Sequence, residues 1–266
     1  MSLSPDGHRA AVAVDETHTA IWVCDLVQNT VRRFASEWDN FGAAWTPDSQ
    51  RITFSSNRDA GGDYFNLYSQ NAEGGAPAER LTHGRIGQVP IAWSPDGRTL
   101  LFAEANRTAG PFLMLFSRES GTVRRFVDRP TLWGPEAAAI SPDGQWVAHV
   151  VNDAGDFGLH VSKFPEGTPT WQISNDGSVR PRWAQNGKEL FYLRGSHVTV
   201  VEIATTPQFA ASKPRILFDA LSDAFDVSRD GERFLFLKRI DEHVAVTAVN
   251  LVENWSQELT RRADSR

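Results

Sequence analysis

A polar tetrad recurs along the chain, each time after a bulky apolar residue and ahead of a run of β-formers. Ser4-Pro5-Asp6-Gly7 returns as Thr46-Pro47-Asp48-Ser49, Ser94-Pro95-Asp96-Gly97 and Ser141-Pro142-Asp143-Gly144. It then decays to Ala184-Gln185-Asn186-Gly187 and Ser228-Arg229-Asp230-Gly231. The spacing is about 45 residues, and six units of that length fill the chain. Each tetrad reads as a tight turn: Pro presets φ, Asp bonds the backbone two residues on, and Gly accepts a positive φ.

Every unit has the same internal order. Leu3, Trp45, Trp93, Ile140, Trp183 or Val227 stands before the turn. A β-rich run follows it, at 9–14, 51–55, 99–103, 146–151, 189–193 and 233–238. After a polar loop comes a third run, such as 20–24, 66–69, 112–116 or 198–203, and a shorter fourth run closes the unit. Two fourth runs are identical, Thr30-Val31-Arg32-Arg33-Phe34 and Thr122-Val123-Arg124-Arg125-Phe126. Four short antiparallel strands per unit is the anatomy of a propeller blade. One such sheet cannot bury both of its faces, whereas radial stacking gives each face a neighbour. The pattern therefore predicts an all-β fold: a six-bladed β-propeller of four-stranded antiparallel blades, one domain over 1–266. The bulky residues before the turns are expected to pack between blades rather than stack on a ligand.

The last unit is expected to end differently. Asn254 can cap a short C-terminal helix, with Gln257 three residues on completing a capping box and Trp255 and Leu259 on one face. Only 1–3 precede the first turn, too few to supply a closing strand, so the chain reads as a fragment of a longer one.

Composition narrows the function classes. Lys and Arg number 27 against 33 Asp and Glu, a net charge of −6, so no nucleic-acid partner is expected. The single cysteine, Cys24, excludes an internal disulfide framework and a Cys-based zinc cluster. The first residues have neither the basic nor the apolar region of a signal peptide. No apolar run approaches the roughly 20 residues of a membrane helix, so this fragment itself is expected to make no membrane contact.

Trp93-Ser94-Pro95-Asp96-Gly97 before an apolar strand resembles the TolB-like repeats, a WD-repeat-like propeller group related to the propellers of dipeptidyl-peptidase-type serine peptidases. The likeness covers the whole chain and is most specific in units one to four. The closing segment, 249–259, is similar to that of propellers appended to bacterial membrane-anchored Ser/Thr protein kinases and related regulators. This resemblance implies a periplasmic or extracytoplasmic sensor domain, with a kinase or regulator module N-terminal in the parent chain. No Gly-rich loop and no His-Arg-Asp motif is present here.

Candidate chemistry is sparse. There is no Gly-x-Ser-x-Gly elbow, and Ser196 beside His197 reads as part of a hairpin turn. The seven histidines are scattered without metal-ligand spacing, and His149, in an apolar strand, reads as a core residue. The acidic loops 59–63 and 152–156 carry oxygen ligands but not the calcium-loop pattern, so turns are the simpler reading. No catalytic residue, metal or cofactor is assigned.

Topology offers a better surface. The second-to-third loops and the between-blade loops of a propeller share one face, and there Trp38, Arg58, His83, Arg107, Trp133, Asp153 and Arg180 are expected to gather. Exposed Trp and Arg are typical anchors for a protein or peptide partner; the competing reading is solvated loop polarity. The expected function is a non-catalytic binding or sensor module. The alternatives are a propeller lyase or hydrolase with its site at the central channel, and the regulatory propeller of a serine peptidase without its catalytic domain.

Overall fold

The structure, a computed structural model, describes residues 1–59, 64–105, 108, 110–153, 155–222, 224–228, 233–237 and 250–252. The first sheet holds β1 (Ser2–Leu3), β2 (Arg9–Val14), β3 (Ala20–Asp25) and β4 (Thr30–Ala35). The second holds β5 (Asn40–Trp45), β6 (Arg51–Ser56), β7 (Asn66–Asn71) and β8 (Glu79–Arg80), and the third β9 (Gln88–Trp93), β10 (Thr99–Glu104), β11 (Phe112–Ser117) and β12 (Val123–Pro130). The fourth holds β13 (Ala138–Ile140), β14 (Trp146–Asp153), β15 (Asp156–Lys163) and β16 (Thr170–Ser174). In the fifth, β17 (Ser178–Trp183), β18 (Glu189–Arg194) and β19 (His197–Ala204) are followed by β20 (Ala210–Ala211) and β21 (Arg215–Asp219), which both pair with β19. A last sheet contains β22 (Phe225–Val227), β23 (Phe234–Phe236) and β24 (Asn250–Val252).

All pairings within the sheets are antiparallel, and strands follow chain order from the inner edge outward. The architecture is an all-β propeller. Five sheets are full blades of four or more strands, whereas the last has three among the described residues. The expectation of six equal four-stranded blades is corrected to that extent. The sixth repeat has lost the proline of its turn, and its second run shortens to Phe234–Phe236. The helix expected at 254–259 lies outside the described residues.

The near-continuous apolar runs make sense because each blade is buried on both faces. Successive residues of a strand point to opposite sides. In β10, Leu100 and Phe102 pack with Ala44 and Leu67 of the second blade, while Leu101 and Ala103 pack with Ala138 and Val147 of the fourth. In β2, Ala11 meets Trp45 and Ile52, while Ala10 and Val12 meet Leu235 of the last sheet. That final contact joins the two ends of the ring.

The tetrads build one repeated device. Ser94 Oγ donates to Asp96 Oδ1 at 2.5 Å and accepts from Thr99 N at 2.9 Å, and Asp96 Oδ1 accepts from Arg98 N at 3.0 Å. The same bonds recur around Ser4, Thr46 and Ser141. Gly97 and Gly144 hold φ of +69° and +67°, and Ser49 adopts +59° in the same position. The hydrogen bonds from Thr46 and Ser94 hold Asp48 and Asp96 below the usual carboxylate range.

Tryptophans before the turns fasten each blade to its predecessor. Trp45 Nε1 donates to Ser2 O at 3.1 Å, Trp93 Nε1 to Thr53 Oγ1 at 2.9 Å and Trp183 Nε1 to Ala139 O at 3.1 Å. The duplicated fourth strands act alike as well. Arg32 bonds Ala72 O and Arg124 bonds Pro165 O, each in the next blade, while Arg33 and Arg125 cover Trp22 and Phe112.

Candidate functional site

Of the predicted site residues, Trp38, Arg58, His83, Trp133 and Asp153 lie on the face of between-blade and second-to-third loops, opposite the tetrad turns, and Arg180 lies within β17. Trp38 occupies the loop from β4 to β5, 47% exposed and with φ +68°. The buried Asn40 shapes that loop: its Nδ2 donates to Glu37 O at 2.8 Å and Trp38 O at 2.9 Å. Asp39 ties the loop to both sides, accepting from Thr19 N at 3.0 Å and donating its own N to Asn57 Oδ1 at 3.1 Å.

Arg58 joins this group through Asn40 Oδ1, 3.3 Å from its Nη2. Its guanidinium lies 4.9 Å from the Tyr68 ring and 5.3 Å from that of Phe54, so much of the side chain packs down onto the blade. Tyr68 donates to Asp59 Oδ2 at 2.7 Å. Burial, helped by that carboxylate, pushes its phenol up to about 12.

A second group forms two loops away. Trp133, between β12 and β13, is 37% exposed at one edge. Its other edge covers Gly87, where an added Cβ would come within 3.2 Å of Trp133 Cη2. His83 is exposed on the loop that Gly87 ends. Arg180, held at φ +58°, donates its backbone N to Glu136 O at 3.1 Å in the loop that carries Trp133. Asp153 stands at the end of β14, ion-paired with Arg129. Arg107 lies outside the described residues. The structure thus links Trp38 with Arg58, and the Trp133 loop with the His83 loop and with Arg180 of β17. It engages Asp153 in an ion pair.

Sequence reasoning passed over the opposite end of the channel. A cavity of about 660 Å³ opens there, walled by Trp45, Trp93, Trp183, Ile91 and Ile140 and rimmed by the tetrad prolines. Its main polar feature is an ion pair, Arg182 Nε to Asp226 Oδ1 at 3.1 Å, with side chains 14% and 16% exposed. Asp226 also accepts from Val227 N at 3.0 Å and, through Oδ2, from Leu3 N at 2.8 Å. Both carboxylate oxygens are therefore engaged, and the pair clasps β17, β22 and β1 together. The only signal for it in the sequence was position: both residues belong to innermost strands.

The polar cluster around His149 has a packing character. Its Nε2 is 2.8 Å from Ser162 Oγ, itself 2.7 Å from Thr170 Oγ1, and the ring stacks 6.0 Å from that of His160 on the paired strand. Burial, then the neighbouring His160 and Arg129, lower its pKa to about 3, so the ring is neutral at ordinary pH. Ser196, in the turn between β18 and β19, precedes a histidine that instead pairs with Asp219, His197 Nδ1 to Oδ1 at 2.7 Å. Among the described residues no three His, Cys, Asp or Glu side chains converge as metal ligands. Also among them, no helix is long and apolar enough to cross a membrane.

No family model and no curated protein matches the sequence. The fold is shared with solved propellers. TolB from Acinetobacter baumannii superposes with a TM-score of 0.72 at 17% identity, over 94% of this chain and 61% of that one. The chain thus spans about three fifths of that TolB's length. A nidogen/laminin complex matches with a TM-score of 0.64 at 12% identity, over 87% and 85% of the two chains. Oligogalacturonate lyase from Vibrio parahaemolyticus matches at 0.59 and 10% identity, over 96% and 74%. At these identities the likeness is one of fold, the β-propeller fold that TolB also has.

Proposed function

We propose that this propeller is a non-catalytic binding module, a single unit over 1–266, that engages a protein or peptide through its loop-rich face. The observation that carries the reading is the contrast among its tryptophans. Trp45 and Trp93 are buried and, like the half-buried Trp183, have bonded indoles, whereas Trp38 and Trp133 are exposed on between-blade loops. Large aromatic side chains held in shaped loops are the usual anchors of a protein interface. His83, Arg107, Asp153 and Arg180 belong to the polar surround of the same proposal, and Arg58 acts by bracing the Trp38 loop.

We read the ring as six-bladed, because the sixth repeat contributes a sheet of its own. An extracytoplasmic location and an upstream kinase or regulator module rest on sequence resemblance alone. The lyase alternative has the shared fold in its favour, and the peptidase alternative the repeat motif.

A selection of phage-displayed peptides on the immobilised protein, followed by fluorescence titration of a selected peptide, tests the reading. A Trp38→Ala, Trp133→Ala double variant is expected to keep its Tm and lose about 100-fold in affinity, from two anchors of roughly 1–2 kcal/mol each. Unchanged affinity, or a Tm several degrees lower, would overturn it.

A further inference from the structure

From the first blade to the fourth, the tetrad turns touch one another. Between the first two blades, Ser49 Oγ accepts from Asp6 N at 3.2 Å. Gly97 sits against Pro47, an added Cβ falling 3.8 Å from its Cδ, and Gly144 against Pro95 at 3.1 Å. Gly187, in the equivalent place of the fifth blade, has nothing within 4 Å of such an atom. Its turn, Ala184-Gln185-Asn186-Gly187, has also lost the hydroxyl and the proline of the first four.

A cleft of about 570 Å³ opens where that contact is missing, between the fourth and fifth blades. This is well within the size range of small-ligand sites. Trp146 contributes to its wall, and Gln185, Asn186, Thr205, Lys188 and Asp143 surround it. Trp146 is buried, yet its Nε1 finds no acceptor among the described residues, unlike the indoles of Trp45, Trp93 and Trp183. An unpaired buried donor costs stability, so the fold retains at this junction a polar group with no partner among the described residues.

We propose that this cleft is a saccharide-binding site. Amides, a hydroxyl and a carboxylate offer donors and acceptors in the mixed pattern that a polyhydroxylated ring requires, beside the apolar surface of Pro142 and Ala204. One cation, Lys188, and one anion, Asp143, line it, so its wall carries no net charge and suits a neutral sugar. The site lies on the face opposite Trp38 and Trp133 and is independent of them.

Cellotriose, maltotriose and chitotriose, with trigalacturonate as the acidic comparison, can be titrated into the full chain by tryptophan fluorescence and saturation-transfer NMR. At least one neutral trisaccharide is expected to saturate with a millimolar or tighter Kd. Gln185→Ala and Thr205→Val, both at exposed positions, should each weaken it about tenfold or more at unchanged Tm. The Trp38→Ala, Trp133→Ala variant should bind it as wild type does. Three results would each overturn the proposal: no saturation by any neutral sugar, affinity indifferent to both cleft substitutions, or binding of trigalacturonate alone.

Discussion

The first four blades and the closing stretch of the ring are held by different means. From the first blade to the fourth, one device repeats: a hydroxyl–carboxylate turn at each tetrad, which touches the turn before it. Between the fifth blade, the last sheet and the first blade, the repeated parts thin out. Arg182, Asp226 and the backbone of Leu3 take their place at the inner edge, with Leu235 packed among Ala10, Val12 and Cys24 behind them. Repetition spreads stability over many similar contacts. Closure concentrates it in one clasp, because a ring must join two dissimilar ends and no repeat unit exists for that join.

The largest effect is expected where the clasp is cut. Asp226→Ala leaves Arg182 largely buried without its partner, and removal of one member of such a pair costs about 3–4 kcal/mol. Thermal melts should show a drop of roughly 10 °C for a domain of this size. An Arg182→Met, Asp226→Leu double variant should recover most of it, since replacing both charges by apolar groups removes the desolvation cost. If Asp226→Ala melts like wild type, the ends are held by apolar packing alone.

Acid strikes the repeated side instead. His149 lies in the core between the third and fourth blades, edge-on to Phe126. Its folded pKa, about 3, lies below the 6.5 of an exposed imidazole. The unfolded chain therefore binds the extra proton first, and this contribution is full above 6.5 and lost as pH falls from 6.5 toward 3. At about pH 4.5 the loss is on the order of 2–3 kcal/mol, readable in urea midpoints. His149→Gln should flatten that interval. Asp48 and Asp96, depressed by the turn hydroxyls, hold their contribution above the ordinary carboxylate value of 3.8 and lose it only in stronger acid.

The smallest effect separates touching turns from an open one. Gly144→Val combines a strained positive φ with a Cβ 3.1 Å from Pro95 Cδ, whereas Gly187→Val, at φ +69° with nothing near, meets strain alone. The first should cost about 2–3 kcal/mol and the second about 1–2. Equal losses in denaturant melts would show that turn-to-turn contact adds nothing to the ring.

The surface chemistry was legible in the sequence only in part. Trp38 and Trp133 stood out because no strand pattern used them, and the structure leaves both exposed on one face. Arg58 read as a partner anchor, but it packs on Tyr68 and Phe54, because those rings stand opposite each other on β6 and β7 beside it. The cleft beside Gly187 was visible only as a decayed motif, and a lost proline does not say whether the gap closes or stays open.

The sequence by itself determined the local and the periodic. Turn residues fix φ and hydrogen bonds within a few positions, and near-continuous apolar strands must be covered on both sides, so blade anatomy and radial stacking follow from one repeat read several times. The last sheet, the clasp and the cleft were decided by tertiary structure. Each brings together residues from different repeats, Leu3 and Asp226 across nearly the whole chain, and such meetings depend on how the blades rotate about the axis and where the ring runs out. No spacing along the chain encodes that, because it is a property of the sum of all the blades.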